Sequence, residues 1–346
     1  MPGHMHNNEL EKCASYDHSE KSFTGLWRRS KQGENLSCRV DRLFYTECEG
    51  HCMSYMSPAR PASPRARSAV DVVCEVKHNG VCSHSNCWRS LGSPWINSHC
   101  KCNPVYLQTS HFVQFVYQAL PTDVHVIILD MPGHGKTSRD MKADYTFVGQ
   151  AKNIHHFVQA YGLDKSPFHI LGISMGGGVA GVYAALYPQD LVKVSLFCPA
   201  AILSPTVSKY GQEMVKDETV PLPVTAQEIK KTQPYIVYNG REMPNWVYRI
   251  IAELRRPHNE FYRHVLQEMS KEDSKTALQA RLCDIKTPTQ VVWGEFDWLL
   301  DISSLDIIKE KLKNLDRVDV LDRCGHSIAI ERPYKSAKVI MEFVNS

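Results

Sequence analysis

Apolar and polar positions alternate in a regular way along the chain from about residue 112 onwards. Short apolar runs, each about the length of a buried strand, are separated by longer stretches with helical periodicity. The predicted strands are 124–129, 169–173 and 191–198, and the predicted helices between them are 147–161 and 176–187. Strands that alternate with helices form parallel sheets. The pattern therefore predicts an α/β domain with a mostly parallel sheet flanked by helices.

The alternation stops between about residues 202 and 280. This part of the chain carries amphipathic stretches at 246–254 and 259–269, which are typical of helices. Strands and helices then alternate again in the segments 289–293, 302–312, 318–321 and 335–344. A helical stretch between two parts of one sheet predicts a cap inserted into the α/β domain.

Residues 1–105 differ from the rest of the chain. They show no sustained period, apart from a strand-like run at 70–76, and the stretch at 57–67 is basic and rich in Pro and Ser. All but three of the 12 cysteines lie here, the exceptions being Cys198, Cys283 and Cys324. We therefore expect a divergent, cysteine-rich and poorly ordered region at 1–105 and an α/β domain at 106–346.

The early cysteines favour neither a disulfide framework nor a metal site. Their number is odd, and the first 25 residues are polar and lack the apolar core of a signal peptide. Disulfide frameworks belong to secreted proteins. The Cys and His residues at 82–87 and 99–102 match no paired C-x2-C template for zinc. We expect no metal and no cofactor.

Composition and charge narrow the function classes. The chain is 43% hydrophobic and 22% charged, which is an ordinary globular balance, and its formal net charge is +3. It has no concentrated block of Lys and Arg, which argues against nucleic acid as a partner. No run approaches the roughly 18 to 20 apolar residues that cross a bilayer. We expect neither a transmembrane segment nor an export signal in this chain.

The strongest chemical signal is the segment Gly172-Ile173-Ser174-Met175-Gly176. It follows a predicted strand and opens a helix rich in Gly, Ala and Val, so Ser174 falls in a strand-to-helix turn. Glycines beside a serine allow a tight turn, and the helix directs the positive end of its dipole at the hydroxyl. A serine at the start of a helix is also a common N-cap. Whether Ser174 is a nucleophile or an N-cap therefore depends on which other residues lie near it.

An acid and a base follow Ser174 in the chain, each just after a predicted strand. Because the carboxyl ends of parallel strands share one edge of the sheet, we expect Ser174, Asp297 and His326 to converge there. His326 would accept the proton of the Ser174 hydroxyl, and Asp297 would orient the imidazole. Asp301 is an alternative to Asp297. The trio predicts a nucleophilic serine and outweighs the N-cap hypothesis.

The other histidines near these motifs do not indicate separate chemistry. Segment 130–138 contains Gly135-Lys136-Thr137, as phosphate-binding loops do, but Asp130 stands where such a loop needs a glycine. We interpret the segment, which includes His134, as a glycine-rich turn at the same sheet edge. His155 and His156 lie on a predicted helix and are interpreted as surface or packing residues.

Together these residues resemble the α/β-hydrolase superfamily. Segment 130–138 looks like its D-x-P-G-x-G-x-S turn, 172–176 matches its nucleophile elbow, and Trp293-Gly294 with Asp297 and Gly325-His326 complete the set. The chain is similar to the monoacylglycerol lipases of that superfamily over 110–346, most clearly at 167–169, 179–185, 198–200, 256–259 and 261–263. The resemblance implies that a small-molecule lipid ester is cleaved under a cap that shapes an acyl-chain pocket. Monoacylglycerols are the first expected substrates and lysophospholipids the second.

The resemblance also implies an oxyanion hole, with the backbone N–H of Met175 as one donor. In the superfamily a His-Gly segment after an early strand supplies the other donor. Counting back from 120–121 puts this segment near Pro104, where 102–105 holds no His-Gly pair. Similar lipases carry an amino-terminal transmembrane helix and act at an intracellular membrane surface. Here the cysteine-rich region stands in place of that helix.

Two functions stay open beside the serine ester hydrolase. A carbon-carbon bond hydrolase for ring-cleavage products shares the elbow, the glycine turn and the triad order. A hydrolase-fold binding protein that lacks the second oxyanion donor is the other alternative. The cap aromatics Trp246, Tyr248 and Phe261 would either pack the cap or make a peripheral contact with a membrane. The sequence leaves the oligomeric state open.

Overall fold

The computed structural model describes most of the chain from residue 126 onwards and short stretches before it. The described residues are 74–77, 104–107, 116, 118–121, 124, 126–135, 137–216, 222–240 and 242–346. Most of the predicted cysteine-rich region lies outside them, so its poor order stays a prediction.

The described residues contain one sheet of seven strands. The strands are β1 Cys74–Lys77, β2 Pro104–Leu107, β3 Val126–Leu129, β4 Phe168–Ile173, β5 Leu191–Phe197, β6 Thr289–Gly294 and β7 Leu315–Leu321. Their order across the sheet is β1-β3-β2-β4-β5-β6-β7. Strand β1 is antiparallel to β3, and the other neighbours are parallel. The predicted, mostly parallel sheet is confirmed.

The helices follow the predicted alternation. They are α1 Phe147–Ala160, α2 Met175–Leu186, α3 Lys209–Lys216, α4 Ala226–Ile236, α5 Asn245–Arg255, α6 Asn259–Met269, α7 Glu272–Lys275, α8 Ser304–Lys311, α9 Ile328–Glu331 and α10 Pro333–Asn345. Strands β4 and β6 are buried at every position, as expected for central strands of a sheet covered on both faces. Within the part of the chain that the structure describes, no helix is both long and apolar enough to span a bilayer.

A helical cap, α3 to α7, is inserted between β5 and β6, as predicted. Helix α4 begins at a capping box: the Thr225 hydroxyl accepts the Glu228 N–H, and the Glu228 carboxylate accepts the Thr225 N–H. Helix α6 packs on the domain through Phe261, whose ring meets that of Tyr145 edge to face at 5.1 Å. The predicted outer limits of the cap, about 202 and 280, stay a prediction.

Strands β1 and β2 are the strands that the hydrophobic pattern of the sequence predicts least well. The predicted run at 70–76 overlaps β1, whereas β2 was not predicted. The predicted boundary between residues 105 and 106 falls inside β2, so the sheet takes in residues on both sides of it. A strand of four residues is too short to show a period, and β2 pairs with strands β3 and β4, which are distant in sequence. The division of the chain into two regions remains a prediction.

A row of polar side chains crosses four strands inside the sheet. The Ser195 hydroxyl lies 2.9 Å from His169 Nε2 and donates to Gln290 at 2.9 Å, and the Gln290 amide donates to Asp319 at 2.7 Å. Burial lowers the pKa of His169 to about 3, so this histidine is neutral. A shift in the register of one strand would leave these buried polar groups without hydrogen-bond partners, which is energetically costly. The row therefore helps set the register of β4 to β7, whose ends carry the candidate site.

Candidate active site

Ser174 lies at the sharp turn between β4 and α2. Its backbone has φ +56° and ψ −118°, a conformation that costs energy in a residue with a side chain. Backbone hydrogen bonds hold it there: the Ser174 N–H donates to the Phe197 carbonyl at 2.8 Å, and the Ser174 carbonyl accepts from Gly178 and Ala200, each at 3.0 Å. The strained serine stands at the carboxyl end of its strand, partly exposed.

Gly172 makes this turn possible. A Cβ at Gly172 would lie 2.0 Å from the carbonyl oxygen of Gly176, far inside any permitted contact. The end of β4 and the first turn of α2 therefore touch backbone to backbone. This close approach is the physical reason for the glycine two residues before Ser174.

The side chain of Ser174 does not cap the helix. It makes no capping hydrogen bond to α2. Its Oγ lies 2.8 Å from Nε2 of His326, which comes from the loop after β7. The structure therefore gives Ser174 the contact expected of a nucleophile rather than that of an N-cap.

Asp297 holds the other side of the His326 ring. Its Oδ2 lies 2.7 Å from His326 Nδ1, and its Oδ1 accepts the N–H groups of Leu299 and Leu300 at 3.0 and 2.9 Å. A Cβ at Gly294, the last residue of β6, would lie 2.1 Å from the Gly325 carbonyl oxygen. The loops after β6 and β7 thus pack backbone to backbone, and this packing brings the acid to the histidine.

Asp301, the alternative acid, lies apart from this arrangement. Its Oδ1 accepts the Ser303 N–H at 2.9 Å, and its backbone carbonyl accepts the Ser204 hydroxyl. The structure gives it a turn-forming role at the start of α8. Of the two acidic candidates, Asp297 is the one in contact with His326.

The other histidines have packing contacts, in line with the sequence interpretation. His134 Nδ1 donates to the Pro132 carbonyl at 3.0 Å, and its ring lies 5.7 Å from that of Tyr262 on α6. Segment 130–138 thus supports the cap. His155 stacks on Tyr187 at 3.7 Å and contacts Asp190, and the neighbouring His156 is exposed.

Sequence reasoning missed Cys198, which follows β5. Its Sγ lies with one oxygen of Asp297 and one ring nitrogen of His326 inside a span of 4.8 Å, a set that could hold a metal ion. Both ring nitrogens of His326 already contact Ser174 and Asp297, however. The arrangement therefore favours proton transfer. In the sequence, Cys198 belongs to the stretch 198–200 that resembles the lipases and lies at a predicted strand end, but neither signal places it beside His326.

The contacts of His326 define its tautomer. A carboxylate only accepts hydrogen bonds, so Nδ1–H donates to Asp297 and Nε2 is left to accept from the Ser174 hydroxyl. Burial lowers the pKa of His326, but the charge of Asp297 and its hydrogen bond to the ring raise it, and the net pKa lies above the ordinary value. Cys198 would raise it further only as a thiolate, and burial raises the pKa of the Cys198 thiol and so keeps it uncharged. The ring is therefore a strong base that accepts a proton readily.

The raised pKa predicts where activity is lost at low pH. His326 must be neutral to accept the serine proton, so kcat/KM should fall about tenfold per pH unit below its pKa. We expect the acid limb of a kcat/KM profile on a soluble ester to have its midpoint above pH 6.5, the ordinary histidine value. In Asp297→Asn the residual activity should have a lower midpoint, because the carboxylate charge is gone. A parent midpoint at or below 6.5 contradicts the raised pKa of His326.

Of the two oxyanion donors that the resemblance implies, the structure describes only Met175. Met175 is the first residue of α2, directly after Ser174. The count that reaches Pro104 ends at the first residue of β2, and the source of the second donor stays a prediction. Strand β2 runs parallel to β4 with Leu107 paired to Gly172, so the carboxyl end of β2 lies beside the end of the strand that leads to Ser174. The residues that follow Leu107 lie outside the described part of the chain.

Ser174, at a strand-to-helix turn, contacts His326 from the loop after β7, and His326 contacts Asp297 from the loop after β6. This arrangement can be compared with known proteins. A family model described as alpha/beta hydrolase fold matches residues 105–333. The chain belongs to the α/β-hydrolase family. Its triad candidates stand in the order Ser, Asp, His, which that family uses.

Relatives within the α/β-hydrolase family narrow the reaction class. Monoacylglycerol lipase ABHD6 of Rattus norvegicus is 40% identical over 238 residues, 67% of this chain and 70% of the rat protein. Monoacylglycerol lipase abhd6-A of Xenopus laevis is 36% identical over 279 residues, 79% of this chain and 82% of the frog protein. A crystal structure of a membrane phospholipase A, a bacterial virulence factor, has the same fold, with a TM-score of 0.68, 22% identity and coverage of 80% and 83%. This α/β-hydrolase is a serine ester hydrolase.

Proposed function

We propose that the protein is a monoacylglycerol lipase that works through an acyl-enzyme. The observation that carries the proposal is the hydrogen-bonded chain from Ser174 through His326 to Asp297, with distances of 2.8 and 2.7 Å. The relatives named monoacylglycerol lipase support the substrate class. The helical cap between β5 and β6 is where a pocket for an acyl chain would form.

The proposed acylation step uses each member of the triad once. His326 Nε2 accepts the hydroxyl proton while Ser174 Oγ forms a bond to the ester carbonyl carbon. The ester C–O bond then breaks, and His326 gives the proton to the departing glycerol oxygen. The carboxylate of Asp297 stabilises the imidazolium between these two transfers. Glycerol leaves, and the acyl group stays on Ser174.

In the proposed deacylation, a water molecule replaces the Ser174 hydroxyl as the nucleophile and the same proton transfers occur. His326 accepts a proton from the water molecule while the water oxygen bonds to the acyl carbon. The bond to Ser174 Oγ then breaks, and His326 returns the proton to that oxygen. The fatty acid is released and the triad regains its starting state. The cycle consumes one water molecule and needs no metal or organic cofactor.

The proposed oxyanion hole lies at the start of α2. The first N–H groups of a helix have no intrahelical partner, and the helix dipole is positive there. The Met175 N–H is therefore a suitable donor to the oxygen that becomes negative during attack. Residues that follow Leu107 in the sequence are our candidates for the second donor, because the pairing of Leu107 with Gly172 ends β2 next to β4.

A peripheral contact between the cap and a membrane fits a lipid substrate. Three large apolar side chains of the cap segment are exposed, namely Leu203, Val207 and Leu254, at 49%, 57% and 70%. Tyr248 and Phe261 are buried and pack the cap instead. We infer that such exposed apolar side chains are where the cap and the segment before it would contact a membrane.

Hydrolysis of a long-chain monoacylglycerol in lipid vesicles tests the proposed function. The purified chain should release glycerol and fatty acid, and Ser174→Ala should release neither. Ser270→Ala is the matched control, because Ser270 is an exposed serine at the end of α6. It should keep parent activity.

The two alternatives predict different products. A carbon-carbon bond hydrolase would turn over a dienoic keto acid and leave the monoacylglycerol intact. A binding protein would take up the lipid without acylation of Ser174. Either result in a folded parent overturns the proposed function.

A further inference from the structure

A carboxylate beside the catalytic loop bridges that loop to the cap. Glu331, the last residue of α9, is half-buried. Its Oε1 accepts the N–H of Gly325 at 3.0 Å, and its Oε2 accepts the N–H of Tyr238 at 2.8 Å. Gly325 directly precedes His326, and Tyr238 belongs to the cap just after α4. One side chain thus joins the histidine loop to the cap.

The same cap segment, residues 236–238, contacts the histidine loop through its backbone. The Ile236 carbonyl accepts the Ser327 N–H at 3.0 Å. A Cβ at Gly325 would lie 2.7 Å from the Tyr238 nitrogen and 2.9 Å from the Ile236 oxygen. No side chain fits between the cap and the loop at this point. His326 is therefore flanked on both sides by residues that bond to the cap or to Glu331.

The cap segment also contacts the loop of the acid. The ring of Tyr238 stacks on that of Phe296, with centroids 4.5 Å apart and planes 27° apart. Phe296 directly precedes Asp297, and its own N–H donates to the Cys324 carbonyl at 2.8 Å. Segment 236–238 thus touches the neighbours of both the acid and the base.

The electrostatics of Glu331 fit a bridging role. Burial raises the pKa of Glu331 by more than the N–H groups of Tyr238 and Gly325 lower it, so its net pKa lies above the ordinary carboxyl value. Its charged neighbours are Arg332, which favours the carboxylate, and Asp297, which opposes it. A carboxylate can serve both N–H donors, whereas a glutamine offers one acceptor oxygen and would turn an NH2 group towards the other donor.

We propose that Glu331 is a positioning residue that fixes His326 against Asp297 and Ser174 and couples this geometry to the cap. The proposal rests on the proposed function, since it assumes that His326 is the base. Any shift of segment 236–238, for example when an acyl chain enters the cap, reaches the histidine loop through this carboxylate and through the hydrogen bond from Ser327 N–H to the Ile236 carbonyl. The cap is then part of the catalytic geometry as well as a cover for the substrate.

Glu331→Gln tests the coupling, with Glu295→Gln as the matched control. Glu295 is an exposed carboxylate that accepts one backbone N–H, that of Arg323, at 3.1 Å. In Glu331→Gln we expect kcat to fall about 10- to 100-fold, the range for a catalytic group displaced by up to 1 Å, with KM nearly unchanged. The loss should be equal on a short soluble ester and on a long-chain monoacylglycerol. The Glu295→Gln variant should match the parent.

The pH profile distinguishes positioning from a purely structural role. A displaced His326 bonds less well to Asp297, so the acid limb of Glu331→Gln should move to lower pH. A lower melting temperature with unchanged kcat and an unchanged limb overturns the proposal. So does a loss confined to the long-chain substrate, because that result means that Glu331 only shapes the cap.

Labelling by a fluorophosphonate tests the positioning of His326 independently of the proposed monoacylglycerol substrate. Its rate depends on the triad and not on monoacylglycerol binding, and it should fall with kcat in Glu331→Gln. If the parent is labelled but leaves monoacylglycerol intact, the substrate proposal fails while the positioning of His326 is still measured. Glu331→Asp, which keeps the charge on a shorter side chain, should show a smaller loss of labelling. A labelling rate equal to that of the parent in both variants overturns the inference.

Discussion

Replacing Ser174 with alanine should lower kcat for ester hydrolysis by about 10^6-fold. The hydroxyl is the group that His326 contacts at 2.8 Å, and no other nucleophile takes part in the proposed mechanism. Folding should be little affected, because the Ser174 side chain makes no capping bond to α2. Steady-state hydrolysis, with thermal unfolding followed in parallel, measures both effects.

The control for this substitution is Ser270→Ala, which removes an exposed serine hydroxyl outside the triad. Residual hydrolysis near the parent rate in Ser174→Ala would mean that another residue is the nucleophile. A large drop in melting temperature would mean that the lost activity reflects unfolding.

Replacing Asp297 with asparagine should lower kcat by about 10^4-fold. The Asp297 Oδ2 accepts from His326 Nδ1 at 2.7 Å, which leaves Nε2 free to take the serine proton. An asparagine can present its NH2 group to Nδ1, and this favours the tautomer with the proton on Nε2. It can still accept from Leu299 and Leu300, so the loop should keep its shape. A kcat measurement with saturating substrate reads out the loss.

Asp301→Asn is the matched control, because Asp301 lies in the same loop and accepts a backbone N–H without contact to His326. It should retain activity close to that of the parent. Equal losses in the two variants would contradict the assignment of Asp297 as the orienting acid.

The central arrangement could be predicted because its signals are local. Gly172 and Ser174 fall within one five-residue motif, and the apolar runs before Ser174, Asp297 and His326 indicate that each follows a strand. Parallel strands bring their carboxyl ends to one edge. The contacts among the three side chains agree with this expectation, and the helical cap follows from the interrupted alternation.

The parts that sequence reasoning missed depend on contacts between distant segments. Strand β2 has four residues and is defined by its pairing with β3 and β4. In the sequence Glu331 is an ordinary polar residue. Its role depends on the hydrogen bond that its Oε2 accepts from the N–H of Tyr238, 93 positions earlier. Cys198 likewise reaches the triad only through the fold. Local periodicity contains no information on such pairings.

A fluorophosphonate bonds to a serine that an adjacent base activates, so labelling of the purified full chain shows whether Ser174 is the nucleophile. We expect mass spectrometry to find the label on Ser174 of the parent and to find none in the folded Ser174→Ala variant. An unlabelled parent that is folded, or a label that persists in Ser174→Ala, would contradict the assignment of Ser174, His326 and Asp297 as the catalytic triad.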